Sequence, residues 1–465
     1  MGFDPDIAQM RFGYGLSPVV PGPASADEMV AQLRGPDAIT QRFGIPTSGA
    51  MNPKVRALYL AQRAYKRAER GSKDRHDLRA TYRKALKAAR VESAGWVRQA
   101  LLRRIWSEDG LRERLVAFWA DHFTAPGQST FYRYAAASYV ETAIRSHVAA
   151  RFEDMLIAAV THPQMLQYLD QNRSVGPNSR FAKKRQNGAG LNENLAREVL
   201  ELHTLGVHGS YTQKDVREFA ELLTGLTAGT GQDTRYDSKR IEPGAETVMG
   251  HTYGTRRARI SDIHAALRDL ARHPETARHL AQKIARHFLG DQPDAGLVME
   301  LEIRYRETDG DLGAVVEAML RHEAAWHARA EGGGNFKQPE QFVSSALRAL
   351  AVPEARFLRM DAKTFDRLIL SPLRHMGQPW RRPFGPDGFA EEDAHWLSPQ
   401  GMGARLQWAL ATPAAVAADL PDPREFIGAA LGAEAPAVVH FAAKAAENRR
   451  EGIALVLMSP AFQRV

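Results

Sequence analysis

The spacing of apolar residues constrains this chain most. From Trp96 to the C-terminal end they recur every three to four positions, and alternating runs are almost absent. That period is typical of amphipathic helices. The sequence therefore predicts a mainly α protein, one large multi-helical unit over residues 1–465 with more than a dozen helices. At most a small β-ribbon is expected, between Arg235 and Tyr253 around the turn Pro243-Gly244.

Composition excludes several kinds of chemistry. The chain has 465 residues, is 44% hydrophobic and contains no cysteine. The length permits a large core, and the lack of cysteine excludes disulfide partners, thiolate metal sites and cysteine nucleophiles. No basic stretch followed by an apolar run begins the sequence, and no window nears 18 uninterrupted apolar residues. We therefore expect a cytoplasmic protein without a membrane span.

The positive charge is concentrated in one segment. Thirteen Lys or Arg and three Asp or Glu lie between Lys54 and Arg90, whereas the whole chain carries +8, so the rest sums to −2. The helical pattern there breaks near Gly71 and predicts an exposed basic hairpin at about 54–92. A solvated charged face is the favoured interpretation. Three interleaved tyrosines leave nucleic acid or another acidic partner as the lesser alternative: Tyr59, Tyr65 and Tyr82.

The stretch 191–227 predicts two helices joined by a turn at Gly206. At 100° per residue, an apolar stripe forms from Leu191, Leu195, Val199, Leu202 and Leu205. Glu198 falls inside this stripe, while Glu201 and His203 flank its two edges. A carboxylate buried without a partner costs several kcal/mol. Glu198 is therefore expected to be protonated, paired, hydrogen-bonded or bound to a metal.

Another predicted helix, at 111–123, also carries a polar residue inside its apolar stripe. His122 points from the middle of its apolar stripe, where a histidine is usually a satisfied core residue. A buried imidazole needs an acceptor or a metal, and a buried carboxyl needs a donor. We therefore predict that His122 and Glu198 are both buried and meet directly or through a bridging water or ion.

Three polar or glycine-rich segments lie between the predicted helices. The loop 174–190 precedes the central helix and is a candidate binding loop. The run Gly332–Gly334 is a candidate hinge. The segment 377–389 is most simply a rigid surface loop, and less simply the wall of a pocket.

Several separate motifs, in order, together resemble one bacterial family, known only as domain of unknown function 1800. They cover nearly the whole chain: RFGYG, FWADHF, HPQMLQYLDQN, LNENLAREVLELHTLGVHGSYTQKDVREFAELLTG, HPETARHLAQKIARHF, NFKQPEQFVSSALRAL, DAHWLSP and LMSPAFQRV. The resemblance implies one large, mainly helical unit and assigns no site residues. Some members carry a leader for export, and this sequence departs from them there.

The residues leave three functions open. The first is an enzyme, with hydrolase-like acid–base chemistry at Glu198, His122, Glu201 and His203. A divalent metal held by Glu and His is a variant of it, although the spacing matches no helical di-iron or HExxH site. The second is a non-catalytic helical scaffold or binding protein, in which Glu198 and His122 satisfy each other. The third is nucleic-acid binding through the basic hairpin.

Overall fold

The protein is seen in a computed structural model that describes residues 2–184, 190–255, 258–327 and 334–465. Residues 185–189 of the predicted binding loop, and Gly332 and Gly333 of the predicted hinge, lie outside these ranges. Helices dominate, as the apolar period predicts, and no described helix is long and apolar enough to cross a membrane.

Among the described residues, twelve α-helices precede the strands, and many begin at a side chain that caps the free backbone N–H groups of the first turn. Asp109 caps one of them by accepting from the N–H of Arg112, and Ser72 and Thr212 act likewise. The helices are α1 Pro5–Arg11, α2 Ala26–Arg34, α3 Ile39–Arg42, α4 Ser48–Arg67, α5 Lys73–Trp106, α6 Gly110–His122, α7 Thr130–Tyr139, α8 Phe152–Val160, α9 Pro163–Tyr168, α10 Arg180–Lys184, α11 Asn194–Glu198 and α12 Gln213–Leu222.

Fourteen more α-helices follow in the described ranges 258–327 and 334–465, several with proline in the first turn, where its missing N–H costs nothing. They are α13 Ile260–Ala271, α14 Pro274–Leu289, α15 Ala295–Glu307, α16 Leu312–Arg321, α17 Pro339–Ala349, α18 Glu354–Arg359, α19 Ala362–Phe365, α20 Ser371–His375, α21 Asp393–Trp396, α22 Pro399–Val416, α23 Pro423–Leu431, α24 Ala437–Ala445, α25 Arg449–Met458 and α26 Pro460–Gln463. Short 3-10 helices span Arg145–His147, Gln171–Arg173 and Glu323–Trp326.

Three segments of the described chain are π-helical, with hydrogen bonds between residues i and i+5. They are Val140–Ile144, Val199–Thr204 and Asp366–Leu370. π-helical turns are rare overall, and those that occur are often found at functional sites. The second continues α11. The helical wheel predicts a uniform α-helix there, but the central helix changes from α-helical to π-helical at Val199.

The β-structure is small but differs in position from the prediction. It comprises two separate antiparallel hairpins, β1 Leu226–Ala228 with β2 Thr234–Tyr236, and β3 Glu246–Val248 with β4 His251–Tyr253. The second turns at Met249-Gly250, where both residues have positive φ, as a two-residue hairpin turn requires. The predicted turn at Pro243-Gly244 instead lies between the two hairpins.

Three hydrophobic clusters hold the helices together. The largest contains residues of α1, α2, α6 and α8 and of the helices from α11 to α16. The second joins the C-terminal end of α5 to helices α17–α26. The third, around Trp96, Phe131 and Tyr134, packs α4 and α5 against α7. The single domain over 1–465 stays a prediction.

The basic hairpin is formed by α4 and α5, which extend beyond the predicted limits 54–92 at both ends. Of its thirteen Lys and Arg residues between 54 and 90, all are exposed except Arg75, which is half-buried. The tyrosines face inward. Tyr65 stacks on Tyr82 with ring centroids 6.2 Å apart, and Tyr59 packs edge-on against Phe131 at 5.6 Å. Because these rings join the helices to each other and to α7, they are not a free platform for nucleic-acid bases.

Candidate functional site

His122 ends α6 and is buried, with 2% of its surface exposed. Its Nε2 lies 3.3 Å from the carbonyl oxygen of His203, and its Nδ1 lies 3.2 Å from Nζ of Lys283. A carbonyl only accepts, so Nε2 carries the hydrogen and Nδ1 accepts from the lysine ammonium. Burial, and then the charge of Lys283, lower the pKa of His122 well below its usual range. His122 is therefore a neutral imidazole.

The C-terminal end of the central helix explains why two imidazoles gather there. The π-helical segment is closed by the N–H of Leu205, which donates to the carbonyl of Leu200 at 3.0 Å. The chain then leaves the helix at Gly206, whose φ is +87°. The last carbonyls of a helix need partners from outside it. Those of His203 and Leu202 accept from Nε2 of His122 and of His279, each at 3.3 Å.

Lys283 lies on α14 and is half-buried beside these histidines. Burial lowers the pKa of its ammonium, and Asp121, Glu391 and Asp387 partly oppose that shift. Burial and then Lys283 also lower the pKa of His279 to about 4. The lysine is therefore the cationic centre of a cluster of otherwise neutral rings.

Lys283 also lines an open cleft of about 520 Å³. One wall is the turn 206–209, the second is α14, and the third is the segment 387–392. The residues of the cleft that carry titratable side chains are Glu201, His208, Glu275, Arg278, His279, Lys283, Arg286, Asp387, Glu391 and Glu392.

The arginines of the cleft are paired at its rim. Arg286 lies 3.2 Å from Glu392 and 3.1 Å from Asp291, and Arg278 lies 3.5 Å from Glu302. Lys283, whose neighbour is the neutral His122, is different. Among the described residues, no carboxylate lies within ion-pair distance of its ammonium.

Glu198 is half-buried rather than enclosed in the core. Burial, and then the negative charges of Glu201 and Asp387, raise its pKa to about 7, against the smaller effect of Arg197. Glu201 forms an ion pair with Arg197 at 3.2 Å, and Arg197 forms another with Glu193 at 3.4 Å. The environment of Glu198 is therefore acidic and adjoins the cleft.

The predicted direct contact between Glu198 and His122 is wrong, because both ring nitrogens of His122 have other partners. The helical wheel assumed a constant turn through the central helix. The π-helical turn from Val199 onward widens the helix and rotates its later residues relative to its earlier ones. Consequently His203, predicted at the edge of the stripe, is 1% exposed, and Glu198 lies at its margin. A link through a bridging water or ion stays a prediction.

Asp121, next to His122, anchors the third wall. Its Oδ2 accepts from the N–H of Phe389 at 2.9 Å, and burial raises its pKa to about 7, with a further contribution from Glu391. Gly388 makes this approach possible. Its φ is +86°, and an added Cβ would lie 2.4 Å from Oδ2 of Asp121. The end of the segment 377–389 therefore lines the cleft through Asp387 and Phe389. Phe384, earlier in the same segment, is 97% exposed, so the segment is a surface loop whose end forms a wall of the cleft.

A second buried polar group adjoins the cleft behind Glu391. Nδ1 of His287 lies 2.9 Å from Glu391, and its Nε2 lies 3.3 Å from the guanidinium of Arg114. Burial alone would raise the pKa of Glu391, but His287, Lys283 and Arg114 lower it. A cavity of about 50 Å³ separates this group from the ion pair of Arg104 with Glu340, which is 2.8 Å long.

Four further residues of the site are not identified by the sequence patterns: Asp121, His279, Lys283 and Asp387. One signal was present, because His279, Lys283 and His287 stand at i, i+4 and i+8, on one face of α14. The two aspartates gave no such signal, because they come from distant segments that meet only in the folded chain. Within the described residues, no group of three or more His, Asp or Glu is placed to hold a metal ion.

The fold and the site define a mainly helical protein with a polar cleft at the C-terminal end of a π-helical turn. The chain belongs to the family of proteins of unknown function called DUF1800, whose sequence profile matches residues 7–464. No curated protein and no solved structure matches it.

Proposed function

We propose that the chain is an enzyme that hydrolyses a polar substrate in the cleft beside Lys283. The observation that carries the proposal is the contact of 3.2 Å between Lys283 Nζ and the neutral His122, at the wall of an open cleft. An amine with a lowered pKa is a proton acceptor nearer neutral pH than an ordinary lysine. A lysine–histidine contact that served only to stabilise the core would not need to lie at a cleft open to solvent.

The roles follow from position and charge. As a free amine, Lys283 takes a proton from water while the water oxygen bonds to the electrophilic atom of the substrate. Glu198 lies outside the lining of the cleft, and its pKa of about 7 keeps a proton available near neutral pH. It gives that proton to the leaving group through a bridging water as the bond to the leaving group breaks. The Lys283 ammonium then returns a proton to Glu198 through water. Glu201 lines the cleft and contacts the substrate.

His122 and His203 are positioning residues. The carbonyl of His203 orients the imidazole of His122, and Nδ1 of His122 orients the Lys283 amine. Neither histidine is among the residues that line the cleft.

Chromogenic esters, amides, phosphate esters and glycosides test the proposal. We expect hydrolysis of one class, with Lys283→Met and Glu198→Gln each reducing the rate by about a hundredfold or more. Lys66→Met, in an exposed position on the basic hairpin, is the matched control and should retain full activity. His122→Asn should shift the pH profile rather than abolish turnover. Equal rates for wild type and Lys283→Met would contradict the proposal.

The second candidate is a non-catalytic scaffold, favoured by one observation. Both ring nitrogens of His122 already have partners inside the protein, as in a purely structural core histidine. For a scaffold, the same variants should change the free energy of unfolding and no substrate should turn over.

A further inference from the structure

A second cavity, separate from the cleft, lies between α5, α6, α7 and the π-helical segment Val140–Ile144. It has a volume of about 240 Å³. We call it the arginine cavity. Much of its wall is apolar, formed by Ile45, Trp96, Val97, Val116, Val140 and Trp380.

Positive charge exceeds negative charge in this lining. Six arginines line the cavity with two glutamates, Glu113 and Glu141. The arginines are Arg103, Arg104, Arg133, Arg145, Arg381 and Arg382. Two carboxylates outside the lining, Glu340 and Asp37, also pair with Arg104 and Arg145. Even when these are counted, two positive charges of the lining remain without a compensating carboxylate among the residues that the structure describes.

Two of the buried guanidiniums have an unused N–H group. Arg103 is 1% exposed and Arg104 is 3% exposed. Arg103 donates to the carbonyl of Phe43 at 2.8 Å and to Glu141 at 2.7 Å, and Arg104 donates to Glu340 at 2.8 Å. Among the described residues, neither Nη2 atom has a hydrogen-bond partner. Buried charged donors are rarely left unpaired, so an acceptor from outside the chain is expected.

Two further arginines connect the cavity to solvent. Arg133 and Arg382 are exposed, and neither forms an ion pair with a described carboxylate. Together with the buried pair, they place positive charge from the surface to the interior of one cavity. Such an arrangement attracts an anion and then holds it away from water.

We propose that the arginine cavity binds a small organic anion, a carboxylate on an apolar body the size of one aromatic ring. Planar guanidiniums match the two oxygens of a carboxylate. The tryptophans and aliphatic side chains match an apolar ring. The size agrees, because an apolar cavity of about 150 Å³ holds benzene, and 240 Å³ adds room for the carboxylate. This inference does not depend on the proposed hydrolysis.

Binding of 4-fluorobenzoate, followed by fluorine NMR on the full chain, tests the proposal, with 4-fluorobenzamide as the neutral isostere. The benzoate should bind at least about tenfold more tightly than the amide, and raised salt should weaken only the benzoate. Equal affinities would overturn the proposal. Tighter binding of 4-fluorophenyl phosphate than of the benzoate would overturn the choice of a carboxylate.

Two variants locate the site. Ala137→Phe places a ring in the cavity and should reduce benzoate affinity by about tenfold or more, whereas Ala80→Phe, exposed on α5, should not change it. Arg382→Gln, also exposed and therefore harmless to folding, should weaken binding severalfold, with Arg79→Gln as its control. Unchanged affinity in both Ala137→Phe and Arg382→Gln would show that the benzoate does not bind in this cavity.

Discussion

Nζ of Lys283 lies 3.2 Å from Nδ1 of His122, and the opposite nitrogen of the same ring holds the carbonyl of His203. One imidazole thus connects a lysine of the cleft to the end of the central helix. The contact joins α14, α6 and the π-helical turn.

Removal of the imidazole should destabilise the fold. His122→Leu leaves the Lys283 ammonium and the His203 carbonyl without their partner, which should cost about 1–3 kcal/mol in the free energy of unfolding. Urea denaturation measures that loss. His76→Leu, at an exposed position in the basic hairpin, is the control and should change stability by less than about 0.5 kcal/mol. Equal stabilities of the two variants would show that the contact is unimportant.

Glu198 should make the protein less stable as pH rises. Its folded pKa of about 7 lies above its usual value of 4.5, because burial, Glu201 and Asp387 disfavour the charged form. Above the unfolded pKa the unfolded chain ionises more readily, so stability falls between about pH 4.5 and pH 7 and the loss is complete above that.

Glu198→Gln should remove that dependence. The variant should gain about 1–2 kcal/mol relative to wild type at pH 8 and nothing at pH 4, after allowance for the solvent that reaches this half-buried group. Denaturation of both proteins at the two pH values checks this. A gain that is the same at both values would contradict the raised pKa.

Gly388 should be intolerant of a side chain. Gly388→Ala would place Cβ 2.4 Å from Asp121 at a φ of +86°, so we expect a loss of about 1–3 kcal/mol and a displaced cleft wall. Thermal unfolding measures the loss. Gly403→Ala is the control. That residue is helical with no atom within 4 Å of an added Cβ, and it should gain about 0.5–1 kcal/mol. Similar effects at both positions would rule out the close approach.

Neutralising the tip of the basic hairpin should affect binding and not folding. Gln at Lys66, Arg67 and Arg70 should leave the free energy of unfolding within about 0.5 kcal/mol of wild type, because these side chains are exposed. Any retention on a heparin column should fall. If the variant unfolds more easily, the tip is not the solvated face inferred from its charge.

The sequence predicted local features well. The end of the central helix at Gly206 and the burial of His122 both follow from short-range patterns, and the structure has each of them. The position of Glu198 could not be predicted in the same way. A helical wheel drawn with a constant 100° per residue cannot represent a π-helical turn. No residue type between 199 and 204 predicts such a turn.

Apart from the alternative that the segment 377–389 forms the wall of a pocket, the sequence does not predict how the walls of the site come together. More than a hundred residues separate Asp121 from Lys283 and Lys283 from Asp387, and Gly388 follows Asp387 directly. These residues meet because of the way in which α6, α14 and the segment 377–389 pack. The helical spacing of His279, Lys283 and His287 is visible in the sequence. It predicts a polar face on α14, but it does not identify the segments that pack against that face.

The measurement that tests the central claim most directly is competitive acylation of the lysines across pH, quantified for each residue by mass spectrometry. Lys283 should label with a midpoint below the ordinary lysine pKa of 10.5, because burial lowers it, and the midpoint measured for the exposed Lys66 is the internal reference. His122→Leu should shift the midpoint of Lys283 and not that of Lys66. A Lys283 midpoint equal to or above that of Lys66 would contradict the proposed active site.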